Sequence, residues 1–157
     1  MAHWLLKSEP DVFGIDDLAR APKRTTGWEG VRNYQARNLL RDDFRKDDLA
    51  FFYHSSCEVP GIAGVVKVVR AAYADPTQFD RKSEYFDAAS TTEAPRWFSV
   101  DVRFERRIEP VITLPELREH ASGALREMVI LKRGNRLSVT PVSDAEWRFI
   151  LSLRDRH

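Results

Sequence analysis

The stretch that decides the fold class is the alternating sequence WFSVDVRFE at residues 97–105. From Phe98 to Phe104 every second residue is apolar, and the residues between them are polar or charged. An alternation with a period of two predicts a β-strand with one buried face. Trp97 falls on the polar face of this strand, so we expect it either to cover the rim of the sheet or to line a pocket.

Further predicted elements lie on both sides of this strand. Strands are expected at 3–7, 49–55, 61–73 and 136–142, and helices at 15–20 and 33–44. Two more helices should follow Thr113 and Ser143, because each residue begins a capping box that a glutamate completes three positions later. Strands with helices around them predict one domain over residues 1–157, of the α+β class, built on a small and mostly antiparallel β-barrel.

Composition restricts the class of protein. The chain has 157 residues, of which 43% are hydrophobic and 31% charged, which is typical of a globular domain with one core. No apolar run approaches the ~18 residues of a membrane span, and the N-terminus lacks the pattern of a signal peptide. Because Cys57 is the single cysteine, no intrachain disulfide is possible. We therefore expect a cytoplasmic monomer that does not bind membranes.

The sequence GWEGVRNYQARN at residues 27–38 carries the functional signal. It places Trp28 between two glycines and then alternates side-chain amides, a tyrosine and arginines. Amides read the edges of bases, arginines bind phosphates, and aromatic rings stack on bases. The stretch therefore favours a protein that binds a nucleobase.

The distribution of charge is uneven although the net charge is only +1. Residues 20–46 contain eight basic and three acidic residues, residues 75–93 contain five acidic and two basic ones, and a smaller basic group lies at 132–136. A positive patch on a neutral body fits a phosphate backbone. A solvated helix face explains the same charge, and charge alone favours that reading.

Signals for catalysis are weak. The four histidines lack the spacing of a zinc site, there is no second cysteine, and no glycine-rich loop matches a phosphate-binding motif. A hydrolase built on His54 and Cys57 remains an alternative, but neighbouring residues of a strand point to opposite faces, so His54 and Ser55 cannot easily pair. We expect no catalytic residues, no metal and no cofactor.

Seven segments resemble the EVE-domain family of the PUA-like superfamily. In chain order they are WLLKSEP (4–10), WEGVRNYQARN (28–38), FFYHS (51–55), PGI (60–62), TQFD (77–80), PRW (95–97) and LKRGNRLSV (131–139). The resemblance implies a pseudobarrel with helices packed on it, related to the YTH domain that binds methylated adenine in RNA. It also implies a reader of modified bases, with 5-methylcytosine or 5-hydroxymethylcytosine in DNA as the favoured ligand and modified RNA as a second possibility.

The kinship with YTH domains suggests where the pocket forms. It places Lys7, Ser8, Trp28 and the strand residues Tyr53, His54 and Ser55 where the YTH pocket forms. From the chemistry of such a pocket we expect base binding by Ser8, Trp28, Asn33, Tyr53, His54, Ser55, Phe79 and Trp97, and phosphate binding by Lys7, Arg32 and Arg37. Trp28 would be the main stacking wall, Tyr53 with Phe79 or Trp97 would close the cage, and the polar residues would read the base edge.

Each of these residues also has a purely structural interpretation. Trp28 would plug the barrel, Asn33 would cap the helix that follows it, Tyr53 would belong to the core, and Phe79 would hold a loop. An enzyme or a small-molecule sensor that uses the same cleft stays open as another class of function.

Overall fold

Six strands form one sheet in the computed structural model, which describes residues 2–154; residues 1 and 155–157 of the predicted domain lie outside the described residues. The strands are β1 (His3–Ser8), β2 (Thr25–Gly27), β3 (Leu49–His54), β4 (Gly61–Ala74), β5 (Phe98–Thr113) and β6 (Val139–Val142). Their order is β2-β5-β4-β3-β1-β6. β1 pairs with β3 in parallel, and the other pairs are antiparallel. The sheet is therefore mixed and mostly antiparallel, and among the described residues it stays open at β2 and β6, as expected for a pseudobarrel.

Short helices connect and flank the strands. They are α1 (Pro10–Phe13), α2 (Ile15–Arg20), α3 (Tyr34–Asn38), α4 (Leu114–Arg118) and α5 (Asp144–Ser152). Both predicted capping boxes are confirmed: the hydroxyls of Thr113 and Ser143 accept hydrogen bonds from the backbone N–H groups of Glu116 and Glu146, and each glutamate bonds back to its cap. The strand–helix order thus agrees with the α+β class expected from sequence.

Three predicted elements have different bounds. The helix expected at 33–44 is α3 followed by a π-helical turn at Leu39–Asp43. β5 extends eight residues beyond position 105, and shifts of register against β4 interrupt the alternation of period two in that part. The strand expected at 136–142 begins only at Val139, since the regular pairing with β1 ends there and a single bond from Lys7 N–H to the Ser138 carbonyl continues it.

The two faces of the sheet carry two separate apolar clusters. Side chains alternate along each strand: Leu6 and Phe52 pack in one cluster, while their neighbours Leu5 and Phe51 pack in the other. We call the cluster that contains Leu6 and Phe52 the front core. It also holds Leu18, Trp28, Val31, Ala36, Leu40, Val68 and Val102. We call the cluster that contains Leu5 and Phe51 the back core. It also holds Tyr53, Ile62, Ile112, Leu117, Leu125, Trp147 and Ile150. Residues 27–38 thus pack on the front face, and the C-terminal helix α5 packs on the back.

No helix within residues 2–154 combines the length and the apolar character that crossing a membrane requires.

Candidate functional site

A cavity of about 890 Å³ opens at the edge of the front core. Its walls come from the end of β1, from helix α1, from residues 26–32 and from the residues after β3. Two distant segments also contribute, one with Glu84 and Tyr85 and the other with Arg136 and Ser138. The lining residues are Lys7, Ser8, Glu9, Val12, Phe13, Thr26, Gly27, Trp28, Glu29, Gly30, Val31, Arg32, Ser55, Ser56, Glu84, Tyr85, Arg136 and Ser138. The first half of the stretch 27–38 therefore forms one continuous wall of the cavity.

Trp28, which the sequence predicted to be a stacking wall, is a residue of the cavity lining. Its side chain belongs to the front core, where the indole packs edge-on against Phe52 with a centroid distance of 5.5 Å. Its backbone N–H donates to the Val100 carbonyl at 2.7 Å, which ties it to β5. The residue is 7% exposed and still lines the cavity. The indole is thus rigidly held and presents only part of its surface to the cavity.

The glycines on either side of Trp28 allow two tyrosines to approach the backbone. Gly30 has φ +83°, and a Cβ there would lie 2.7 Å from the ring of Tyr85. A Cβ on Gly27 would lie 2.6 Å from the hydroxyl of Tyr73. A side chain at either position would require the tyrosine to shift, and at Gly30 the positive φ independently favours glycine. The glycine–tryptophan–glycine spacing is therefore explained by close packing around the cavity wall.

Tyr85 is a cavity residue that the sequence analysis missed. It is 37% exposed and lies in the long connection between β4 and β5, where no hydrophobic periodicity marks it. Arg32 holds this loop: its guanidinium donates to the Tyr85 carbonyl from Nε at 3.2 Å and from Nη2 at 2.7 Å, and it lies 5.4 Å from the centre of the tyrosine ring. The ring of Tyr85 packs on Gly30 and so stands close to Trp28 in the fold.

A buried carboxylate fixes this arrangement. Asp75 is fully buried and accepts hydrogen bonds from the backbone of Gly30 at 2.8 Å, from Arg32 at 3.1 Å and from Thr77. Burial by itself raises the pKa of Asp75, but these hydrogen bonds outweigh it and the pKa lies below its usual value. The ionised Asp75 therefore holds the cavity wall and the Tyr85 loop together.

The remaining donors of Arg32 are also used within the protein. Nη1 donates to the Val31 carbonyl as well as to Asp75, and Nη2 donates to the Thr77 hydroxyl at 3.0 Å. A guanidinium has five N–H donors, and in Arg32 all five have protein acceptors. The geometry thus gives this residue a structural role at the cavity and leaves it no donor for a phosphate.

Several polar groups of the cavity are not used by the protein itself. Lys7 is half-buried, burial lowers its pKa, and its ammonium has no acceptor among residues 2–154. The Ser55 hydroxyl likewise has no partner within the described chain, whereas the Ser8 hydroxyl donates to the Phe13 carbonyl at 2.6 Å and keeps only acceptor capacity. Burial raises the pKa of Glu29, and the nearby charges of Asp75 and Asp101 raise it further. The polar groups of the cavity thus include the Lys7 ammonium, the hydroxyls of Ser8 and Ser55 and the Glu29 carboxyl.

Several residues expected at the pocket do not line it. Tyr53 lies in the back core with 3% exposure, and burial raises its pKa to about 12. His54 Nε2 accepts the backbone N–H of Ile15 at 3.1 Å, and burial lowers the pKa of the ring. Strand alternation is the reason for Tyr53, since it points to the face opposite Phe52. His54 instead fixes the start of helix α2.

The second half of the stretch 27–38 turns away from the cavity. The Asn33 side chain accepts the Ala36 N–H at 3.0 Å and caps α3, so the helix carries the residues that follow it away from the wall. Arg37 donates to the Arg96 carbonyl at 2.6 Å and lies outside the cavity lining. The structural interpretation of Asn33 is confirmed, and neither residue reaches Trp28.

Phe79 and Trp97 also lie elsewhere. Phe79 ends the 3₁₀ turn Pro76–Phe79 and is half-buried outside the lining. Trp97 precedes β5, stacks on Tyr34 with a centroid distance of 4.8 Å, and donates from its indole N–H to Asp87 at 2.7 Å. Of the two expectations for Trp97, the structure agrees with the one in which it covers the rim of the sheet.

Metal-binding groups do not gather in the described part of the chain. No cluster of three or more histidine, cysteine, aspartate or glutamate side chains with the geometry of a metal site occurs among residues 2–154. The polar groups in the cavity are suited to hydrogen bonding with an organic ligand.

A family model described as the EVE domain matches residues 2–153. The chain belongs to the EVE-domain family. This confirms the resemblance carried by the seven sequence segments. Thymocyte nuclear protein 1 from Gallus gallus is 46% identical over 98% of this chain and 69% of its own length, and the human protein of that name is 44% identical over 99% of this chain and 75% of its own length.

Solved structures of EVE-type proteins have the same fold. A protein from Pseudomonas syringae is 47% identical, covers 98% of this chain and all of its own, and superposes with a TM-score of 0.92. The human THYN1 protein in complex with 5-methylcytosine-containing DNA is 44% identical, covers 100% of this EVE domain and 99% of its own chain, and has a TM-score of 0.94. These likenesses confirm the PUA-like α+β fold class expected from the sequence.

Proposed function

We propose that this EVE domain is a non-catalytic reader that binds a modified base, of the 5-methylcytosine or 5-hydroxymethylcytosine type, in nucleic acid. The observation that carries the proposal is the cavity beside Trp28 in a chain that superposes over its full length on the human THYN1 protein in complex with 5-methylcytosine-containing DNA. The base leaves its stack and enters the cavity, and DNA is the favoured partner.

The energetics require more than stacking. Extruding a base from a duplex costs on the order of a few kcal/mol, and one aromatic stack returns ~1–3 kcal/mol. Hydrogen bonds to the base edge and contacts to the backbone supply the difference. In this proposal Trp28 and Tyr85 contact the base faces, and Glu29 accepts from the exocyclic amino group of cytosine.

The remaining contacts to the nucleic acid come from the other free groups of the cavity. Lys7 binds phosphate, Ser55 donates or accepts at the base edge, and the oxygen of Ser8 accepts there. Three other residues act indirectly: Arg32 uses its donors to hold the Tyr85 loop, and Trp97 and Arg37 hold the segment that returns to β5.

The hydrogen bond that His54 makes favours binding over catalysis. A hydrolase built on His54 needs a free ring nitrogen to act as a base toward Cys57, but His54 Nε2 already accepts the Ile15 N–H. We propose a monomeric domain over residues 1–157 that acts in the cytoplasm, where the single Cys57 stays reduced.

A titration of modified oligonucleotides tests the function. Duplex DNA carrying one cytosine, 5-methylcytosine, 5-hydroxymethylcytosine or N6-methyladenine, and RNA carrying 5-methylcytosine, would be titrated at fixed salt. We expect a modified cytosine in DNA to bind tightest. Burying one methyl group contributes ~0.8 kcal/mol, which is about a fourfold preference over cytosine.

Two exposed tyrosines provide a matched pair for that experiment. Tyr85→Ala removes an aromatic residue that lines the cavity, and Tyr34→Ala removes one that is 52% exposed and does not. Loss of one stack should weaken binding at least about fivefold for Tyr85→Ala and little for Tyr34→Ala. Equal affinity for all oligonucleotides, or equal effects of the two substitutions, would contradict the proposal; tighter binding to the RNA would assign the reader to RNA.

A further inference from the structure

A second, shallower depression of about 420 Å³ adjoins the cavity. We call it the groove; its lining residues are Asn33, Gln35, Val129, Lys132, Gly134, Asn135, Arg136 and Leu137. Arg136 lines both the cavity and the groove, so the two depressions share one rim. A chain molecule with one unit in the cavity can therefore continue into the groove past Arg136.

The groove presents polar groups that the protein does not use. Arg136 is exposed, and its guanidinium has no hydrogen bond or ion pair within residues 2–154. The amide of Gln35 is also without a partner in the described chain, and Asn33 uses only its oxygen, as the cap of α3. One guanidinium, one complete amide and one amide NH₂ group are thus available to a ligand.

The backbone of the groove also permits close approach. Gly134 has φ +76°, and a Cβ built there would meet nothing within 4 Å. Asn135 stiffens this loop, because its side chain donates to the Val129 carbonyl at 3.1 Å and accepts the Leu137 N–H at 3.1 Å. The open space over Gly134 therefore belongs to a fixed surface.

We propose that the groove binds the nucleotide next to the one held in the cavity. Arg136 contacts the phosphate between these two nucleotides, and the amides of Asn33 and Gln35 contact the edge of the neighbouring base, as side-chain amides do in nucleic-acid complexes. This inference rests on the proposed function and adds to it a second subsite, which makes recognition depend on the neighbouring base.

A simple electrostatic patch is the competing explanation, and Arg133 separates the two. Arg133 lies in the same loop, is exposed and carries the same charge, but it lines neither depression. A patch that acts through long-range charge would respond equally to Arg133→Gln and Arg136→Gln. A phosphate contact at the shared rim responds only to the second substitution.

The experiment measures dissociation constants of wild type and of both variants for duplexes with cytosine or 5-methylcytosine, over a series of salt concentrations. Arg136→Gln should weaken binding to both duplexes at least about fivefold and reduce the slope of log K against log salt by about 1. Arg133→Gln should leave both quantities near wild type. The preference for 5-methylcytosine should persist in both variants, because neither substitution changes the aromatic wall.

A second variant tests the base contact. Gln35→Ala, assayed on duplexes that differ only in the base next to 5-methylcytosine, should reduce the spread of affinities across those neighbours. Equal effects of the two arginine substitutions, or a spread that Gln35→Ala leaves intact, would overturn the groove proposal. If wild type does not distinguish 5-methylcytosine from cytosine, the proposed function fails, whereas a loss confined to Arg136→Gln would still support the groove.

Discussion

Glu29 follows Trp28 on the cavity wall, and its environment disfavours the ionised carboxylate. Burial raises the pKa of Glu29, and the negative charges of Asp75 and Asp101 raise it further. An ionised carboxylate accepts a hydrogen bond from an amino group, whereas a protonated one loses part of that capacity. The proposed contact to the cytosine amino group is therefore sensitive to pH at the scale of this one residue.

Binding of a 5-methylcytosine duplex should weaken as the pH falls from neutral. The raised pKa means that Glu29 takes up its proton at a higher pH than the ordinary 4.5, so the loss begins earlier than for an unperturbed glutamate. Glu29→Gln should bind more weakly at pH 7 and show a flatter pH profile. Fluorescence anisotropy between about pH 7.5 and 5 measures the pH profile, and the exposed Glu109→Gln is the control. A wild-type profile retained in Glu29→Gln would exclude the role.

At the scale of elements, the connection 75–97 places Tyr85 in the cavity almost without regular structure. Its one regular element is the turn Pro76–Phe79. The side chain of Gln78, fully buried, donates to the carbonyls of Asp75 and Trp97 and accepts from Ser90 and from the backbone of residues 96 and 97. One amide thus closes both ends of the loop, where a core of apolar residues would otherwise be needed.

Gln78→Ala should therefore destabilise the domain and weaken base binding together. The substitution leaves the buried Trp97 N–H without its acceptor, at a cost of ~1–3 kcal/mol. Each kcal/mol lowers the melting temperature by ~2–4 °C in a domain of this size. Thermal denaturation and a 5-methylcytosine titration measure the two effects. The exposed Gln35→Ala should leave the melting temperature unchanged. A stable Gln78→Ala variant with normal binding would show that the loop does not depend on this amide.

At the scale of the whole molecule, the sheet separates the candidate site from the C-terminal helix. The cavity lies at the edge of the front core, where Val31 is both a core residue and part of the lining. Helix α5 packs through Trp147 and Ile150 on the back core. Stability and ligand binding are thus assigned to different faces of one sheet.

A pair of core substitutions tests this separation. Ile150→Val removes one methylene group from the back core and should cost ~0.5–1.5 kcal/mol of unfolding free energy without changing the dissociation constant of the folded protein. Val31→Ala should lower both stability and affinity. Urea denaturation and binding titrations provide the two readouts. A loss of affinity in Ile150→Val as large as that in Val31→Ala would show that the two faces are coupled.

Local signals predicted much of the architecture. Helix α2 and both capping boxes agree with the structure because each depends on residues within one turn of chain. The alternation that starts at residue 98 predicted β5, but its extension to Thr113 was not visible, since the register shifts against β4 interrupt the period of two. The base-binding and phosphate-binding roles assigned to residues from the sequence stay predictions.

The candidate site was predictable only in part. The cavity lining includes Trp28, Ser8, Ser55 and Lys7, as expected, because these residues lie at the end of a strand or directly after it. Tyr53 does not, since a shift of one residue along a strand changes the face. Tyr85 had no signal, because its position depends on hydrogen bonds to residues some 50 positions earlier in the chain.

The amino-acid sequence by itself determined five of the six strands among the described residues, the capped helices, the α+β class and membership of the EVE-domain family, because periodicity, caps and motif order are properties of neighbouring residues. Only the tertiary structure decided that residues 27–38 divide at Asn33, with Trp28 on the cavity and Arg37 away from it. The physical reason is that a helix cap changes the direction of the chain there, while the buried charge of Asp75 brings Gly30, Arg32 and the Tyr85 loop together from distant positions.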